Sequence, residues 1–418
     1  MSSLSKLVAD SIDVPKPVRD VGLIPGIMCE HAADEIADSF RKKLKAIVLT
    51  GSVARGEASL IRKGDGWEFL GDVEFLIAFQ DNAGLPSKPA LDEIRQRIED
   101  RLRRNNIQCA VDLSAVHPDY FRRLPPHVFS HELRECGQVV WGDGQILKTI
   151  PQFSAGEIAH EDAWRLLCNR MLELLECAAG ISDGDEATDP KLRYRVLKLH
   201  LDISTSLLVF LGKYAPGYRA RLEIVRQLAD REGAGEEYPF DMRGFADLLA
   251  ACTSEKLGRA GAAAPLELSW RPAIRLAHKL WRWELEKLTA GRARGTDRQI
   301  FDAWMSMQPV GRRARGWLYV VRARGWHRSY REWARWLRLA GKGSPRYWTY
   351  LVASTLLFDA VEDDQASQQR PGRGDWASLD LLLPITSAAA ATHAEISWRD
   401  VASDAALNYR EFLVGTRA

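Results

Sequence analysis

The chain has 418 residues, 46% of them hydrophobic and 27% charged, with a formal net charge of +2. That length predicts two or three domains with ample core, and the composition excludes disordered and fibrous classes. The near-neutral balance gives no global argument for nucleic-acid or membrane binding, and no run approaches the roughly eighteen apolar residues of a membrane span.

Six cysteines (Cys29, Cys109, Cys136, Cys168, Cys177, Cys252) lie scattered without a CxxC pair. They read as buried thiols in a reducing, cytoplasmic setting. Residues 1–14 carry Asp10 and Asp13 and no continuous apolar core, so they do not read as a secretory leader. Residues 1–27, spaced by proline and glycine, read as a lead-in segment. Ala33, Ile36, Phe40 and Leu44 then recur at helical spacing, which predicts a helix over 31–44. The apolar run 46–49 reads as a buried strand ending in the tight turn Thr50-Gly51-Ser52. A hairpin tip follows at Lys63-Gly64-Asp65-Gly66, and a second strand runs through Asp72-Val73-Glu74 to Phe79. A helix is predicted over 89–104 and a strand over 107–116 carrying Asp112 between Val111 and Leu113. Short helices at 119–123 and 128–136 and a strand at Val139 complete a mixed-sheet α+β domain over 28–150. His127 and His131 stand four apart, a zinc-pair spacing, but lack an HExxH acid and a cysteine partner and read as surface histidines.

Chemistry enters at the second strand. Side chains alternate along a strand, so Asp72 and Glu74 project from one face a few ångströms apart. Like charges that close call for a cation, whereas a glycine-serine turn at a strand end is a phosphate-site signal. A third acid set among apolar residues, Asp112, needs a partner or a job.

This order of elements resembles the nucleotidyltransferase superfamily that includes DNA polymerase beta, the aminoglycoside nucleotidyltransferases and the small bacterial nucleotidyltransferases. The matching positions are Gly51-Ser52 after an apolar strand, Asp72-Val73-Glu74, and Asp112 on a later strand, over roughly residues 28–145. Two features depart from the pattern: a long spacer between Ser52 and Asp72, and glutamate rather than aspartate as the second acid. The resemblance implies a nucleoside triphosphate substrate, ATP most often, and two Mg²⁺ ions held by Asp72, Glu74 and Asp112. One ion would activate an acceptor hydroxyl and the other neutralise the leaving pyrophosphate. Gly51 and Ser52 would meet the phosphates, with amides from a following helix end. Arg55 would help with the triphosphate or pair with Glu57, and the acceptor's proton would pass to Asp112 or to an acid of the helical region.

Beyond residue 155 strand patterns vanish. Helices are expected over 156–179, 190–213, 217–232, 240–252 and 272–288, giving a helical domain over 151–300 and a C-terminal helical region over 301–418. In the family such a domain forms the other wall of the cleft. Lys198 and Asp202 lie four apart on an otherwise apolar helix, either as an ordinary ion pair or, by the resemblance, as a triphosphate contact and an acceptor-binding acid or base. Residues 311–346 interleave eleven Arg and Lys with tryptophans against one acid, Glu332. They read either as an RNA-binding surface or as tryptophans filling a helical core beneath arginines paired to acids such as Glu362, Asp363 and Asp364. A polar loop is expected at 365–374, followed by one or two closing helices. The favoured function is transfer of a nucleoside monophosphate to a small-molecule or protein hydroxyl. An RNA-directed transferase and a catalytically inactive module binding a nucleotide or partner protein are the alternatives.

Overall fold

The structure is a computed structural model, and it describes residues 21–181, 189–231, 237–258, 268–325, 330–362, 376–386 and 396–415. Most of the expected lead-in, the core of the 180–189 loop, the 365–374 loop, Trp326, Arg328, Asp363 and Asp364 lie outside these residues. The chain divides into two compact units, Met1–Phe153 with Lys256–Ala260, and Ser154–Glu255 with Gly261–Ala418. The border expected at 300 falls inside a helix of the second unit, so 154–255 and 261–418 form one body rather than two.

The first unit is a five-stranded mixed sheet with helices on both faces. In chain order it contains α1 (Ile24–Phe40), β1 (Leu44–Thr50), α2 (Gly51–Ala54), β2 (Leu60–Lys63), β3 (Gly66–Phe79), α3 (Lys88–Arg104), β4 (Ile107–Val116), α4 (Pro118–Arg122), α5 (Val128–Cys136) and β5 (Gln138–Gly142). The helix expected over 31–44 begins seven residues earlier, because Pro25 occupies its first turn, where a missing N–H costs nothing. Its last predicted residues instead form a short turn, and Leu44 already opens β1.

β3 organises the sheet. Its first residues pair with β2 in an antiparallel hairpin, Lys63 opposite Gly66, and its later ones pair antiparallel with β1, Thr50 opposite Glu74. Along its other edge β4 runs parallel to it, joined by the α3 crossover that parallel pairing requires. Alternation along β3 sends Val73, Phe75, Ile77 and Phe79 into a core with Ile36 of α1 and Ile94 and Ile98 of α3. Leu76 and Ala78 face the opposite side and pack with Phe121, Leu133 and Ile146. Asp72 and Glu74 precede Leu76 on this second face, Asp72 exposed and Glu74 half-buried.

The second unit is all helical among its described residues. It comprises α6 (His160–Ala179), α7 (Pro190–Phe210), α8 (Tyr218–Asp230), α9 (Met242–Lys256), α10 (Trp270–Leu288), α11 (Asp297–Ser306), α12 (Val310–Arg324), α13 (Tyr330–Lys342), α14 (Pro345–Glu362), α15 (Trp376–Asp380) and α16 (Trp398–Gly415). Asp189 caps α7, accepting from the amides of Lys191 and Leu192. Trp164 of α6 is fully buried and its ring meets those of Phe301, Trp304, Tyr347 and Tyr350, drawing α6, α11 and α14 onto one aromatic centre. Among the described residues no helix is long and apolar enough to cross a membrane.

Candidate active site

The acids sit where β3 passes from one partner to the next. β2 ends its pairing at Phe69 and β1 begins its own at Glu74, so Asp72 lies in the gap between them. On the other edge the parallel register sets Glu74 directly opposite Asp112, and Asp72 opposite Ala110. Period-two alternation therefore puts Asp72, Glu74 and Asp112 on one face of the sheet. The same face is closed further along by the cluster around Phe121 and Leu133.

β1 delivers the turn to this spot. Thr50 is extended, Gly51 takes a φ of +71°, and the chain leaves the sheet in the single turn of α2. That φ belongs to the left-handed region where a Cβ is strained. Close approach adds a second reason for glycine: a Cβ built on Gly51 would stand 3.0 Å from the Glu74 carboxyl carbon. The turn and the second acid are thus packed together. Ser52 beside it is half-buried. The helix expected after the turn is only four residues long, too short to bring an appreciable dipole, so phosphate contacts here would fall to Ser52 and the bare backbone at Gly51.

Arg55 is engaged in holding this turn. Its Nε donates to Glu57 Oε2 at 3.0 Å and its Nη1 to Glu132 Oε2 of α5 at 2.5 Å, with only 9% of the side chain exposed. Gln138 of β5 donates from Nε2 to the Ala54 carbonyl at 2.7 Å. Glu132 and Gln138 are the positioning residues that sequence reasoning missed. They lie 77 and 84 residues from their partners, and no local pattern announces such pairs.

An oxygen-only donor set on a shared strand face suits a hard divalent cation such as Mg²⁺. The backbone registers these donors, but among the described residues no three His, Cys, Asp or Glu side chains converge into a metal-holding group. His127 caps a helix, its Nδ1 accepting from the Ser130 amide at 2.8 Å at the N-terminus of α5. The six cysteines are free thiols, Cys168 and Cys252 buried.

Lys198 and Asp202 belong to the second unit. Asp202 accepts from Arg170 Nε of α6 at 2.6 Å, so its ion pair is with Arg170. Arg170 also binds Glu173, as does Arg195. Lys198 lies among these groups with its ammonium 5.7 Å from the Tyr194 ring centroid. Its pKa is pulled down to about 8, first by the charge on Arg170 and then by burial. Arg170, Arg195 and Lys198 set three cations against the two carboxylates. Trp317 and Trp336 of the 311–346 stretch and Trp348 just beyond it are buried, and their indole N–H groups donate to the carbonyls of Gly343, Pro384 and Leu339. These three tryptophans are core.

No protein-family model matches the chain, and no curated protein sequence matches it.

Proposed function

We propose that the first unit binds a nucleoside triphosphate, ATP by preference, and that the chain transfers the nucleoside monophosphate to a hydroxyl of a small molecule or protein, releasing pyrophosphate. One observation carries this reading: the glycine-serine turn packs on Glu74, Glu74 stands opposite Asp112, and Asp72 lies two residues before it on the same face. Like charges directly opposite one another on neighbouring strands disfavour pairing, and a divalent cation between them would offset that cost.

Asp72, Glu74 and Asp112 are the residues that would hold Mg²⁺, which when bound polarises the acceptor hydroxyl and neutralises the departing pyrophosphate. Gly51 leaves the backbone bare for a phosphate to approach, and the Ser52 hydroxyl donates to a phosphate oxygen. Arg55, held by Glu57 and Glu132, keeps the turn in place and so acts as a positioning residue. Asp112 takes the proton of the acceptor hydroxyl. A non-catalytic, nucleotide-binding module is the second reading, favoured by the absence of three converged ligands among the described residues.

The test is transfer of label from α-labelled ATP, CTP, GTP and UTP in the presence of Mg²⁺ and a cell extract as acceptor source. Wild type is expected to label a product, and the Asp72→Ala/Glu74→Ala variant to label none while keeping its circular dichroism spectrum. Mg²⁺-dependent nucleotide binding without transfer supports the module, and absence of such binding refutes both readings.

A further inference from the structure

Eight of the eleven cations of 311–346 divide into two groups. Some have structural roles: Arg312 pairs with Glu161, Arg313 donates to the Gly341 carbonyl, and Arg335 donates to the carbonyls of Leu383 and Pro384. The others do not. Arg322, Arg331, Arg338 and Lys342 are exposed and make no ion pair or hydrogen bond among the described residues. Arg315, also exposed, donates only to the Gly311 carbonyl one turn back in its own helix.

Spacing arranges this second group into stripes. Arg315 and Arg322 are seven residues apart on α12, and Arg331 and Arg338 are seven apart on α13. Seven residues return to nearly the same helix face after a rise of about 10.5 Å. Lys342 extends the α13 stripe by one turn. The opposite edges of both helices are buried through Trp317, Val320, Trp336 and Leu339, with the Trp317 and Trp336 ring centroids 6.3 Å apart. α12 and α13 therefore pack on one another by their apolar edges and leave the basic stripes outside. A chain of net charge +2 thus sets five cations without an ion pair among the described residues on one helical pair.

We propose that the outer faces of α12 and α13 are a docking surface for the phosphate backbone of a nucleic acid, bound electrostatically and without preference for base sequence. Charge complementarity chooses a polyanion. The burial of Trp317, Trp336 and Trp348, each with its N–H already bonded, removes these rings as stacking platforms for bases. The same burial argues against a lipid surface, because an interfacial helix inserts its apolar face, and here that face is occupied by the protein core. Tyr330 and Leu337 of α13, seven residues apart, and Leu318 of α12 are exposed beside the arginines. The inference is independent of the nucleotide chemistry assigned to the first unit.

The experiment is fluorescence anisotropy of the full chain with a labelled, mixed-sequence single-stranded RNA of about 30 nucleotides, between roughly 50 and 200 mM salt. Five phosphate contacts give a slope of log affinity against log salt near about −3.5, so binding should weaken on the order of 100-fold over that range. Arg322→Gln/Arg331→Gln/Arg338→Gln/Lys342→Gln should reduce the slope to about −0.7, and Arg315→Gln/Arg322→Gln on α12 alone to about −2. Removing Arg95, Arg103 and Arg104 from α3, where Arg95 and Arg103 are neutralised by Asp92 and Asp100, should leave it unchanged. All variants are checked for wild-type circular dichroism and urea midpoint. No RNA binding at the lowest salt, an undiminished slope in the α12 variant, or binding to phosphatidylserine vesicles but not to RNA would each overturn the proposal.

Discussion

Gly51→Ala probes the contact between the phosphate-type turn and the second acid. At a φ of +71° an L side chain costs about 1–2 kcal/mol. The added methyl would also stand 3.0 Å from both the carboxyl carbon and Oε2 of Glu74, so the Glu74 side chain must rotate, at roughly 0.5–1.5 kcal/mol if it leaves its rotamer well. The single substitution is therefore expected to destabilise the first unit by about 1.5–3.5 kcal/mol. In a Glu74→Ala background the obstructing carboxyl is gone and only the backbone strain remains. The double-mutant cycle should then show a coupling of about 0.5–1.5 kcal/mol. Native-state hydrogen exchange of β1 and β3 amides across a urea series reads this unit separately from the helical one. Additivity within about 0.3 kcal/mol would mean that Gly51 and Glu74 do not touch, and a single-mutant cost below about 0.5 kcal/mol would remove the left-handed turn itself.

Two further outcomes follow from buried charge. Arg55→Met leaves Glu57 and Glu132 without their shared guanidinium in a poorly solvated site and should cost on the order of 3 kcal/mol by urea unfolding. Arg55→Lys should recover only part of this, since one ammonium cannot reproduce a two-pronged contact, and an unchanged midpoint in either variant contradicts the pairing. Lys198 titrates near 8 when folded against 10.5 ordinarily, so between these values the unfolded chain binds the proton more readily and stability rises with pH. Below pH 8 the buried ammonium works against the fold. Lys198→Met should raise the urea midpoint relative to wild type at about pH 7, and that advantage should shrink by about pH 10; a gain independent of pH would contradict the assignment.

Much of the first unit was legible because its strands and helices carry their own period. The strand over 107–116 and the helix over 128–136 appear with the predicted bounds, and the turn at 64–65 closes the expected hairpin. α1 starts earlier than its apolar spacing predicts because Pro25, which reads as loop punctuation, pre-sets the helical φ in a first turn. The shared strand face of Asp72 and Glu74 follows from alternation alone. That Asp112 stands opposite Glu74 does not, because parallel register depends on how α3 carries the chain across the sheet. Lys198 and Asp202 looked like a local pair at four-residue spacing. Arg170, thirty-two residues earlier, takes the carboxylate instead, since helix packing between α6 and α7 brings a stronger, forked donor to it. The tryptophans of 311–346 were ambiguous for a similar reason: helical spacing shows that they share a face, and only tertiary packing shows that the face is covered.

The direct alignment of Glu74 with Asp112 also bears on how faithfully the sheet assembles. A slip of β4 by one residue along β3 would turn Asp112 toward the side where Val73, Phe75 and Ile77 meet α1 and α3, and would turn Val111 away from it. Placing a carboxylate in that interior is prohibitive, so every neighbouring misalignment is strongly disfavoured. The acids thus act as registration marks for a parallel pair whose strands are separated by a whole helix and whose correct alignment no tight turn enforces. Neutral replacements at these positions would relax that discrimination, making strand mispairing and aggregation during folding a separate consequence from any loss of chemistry.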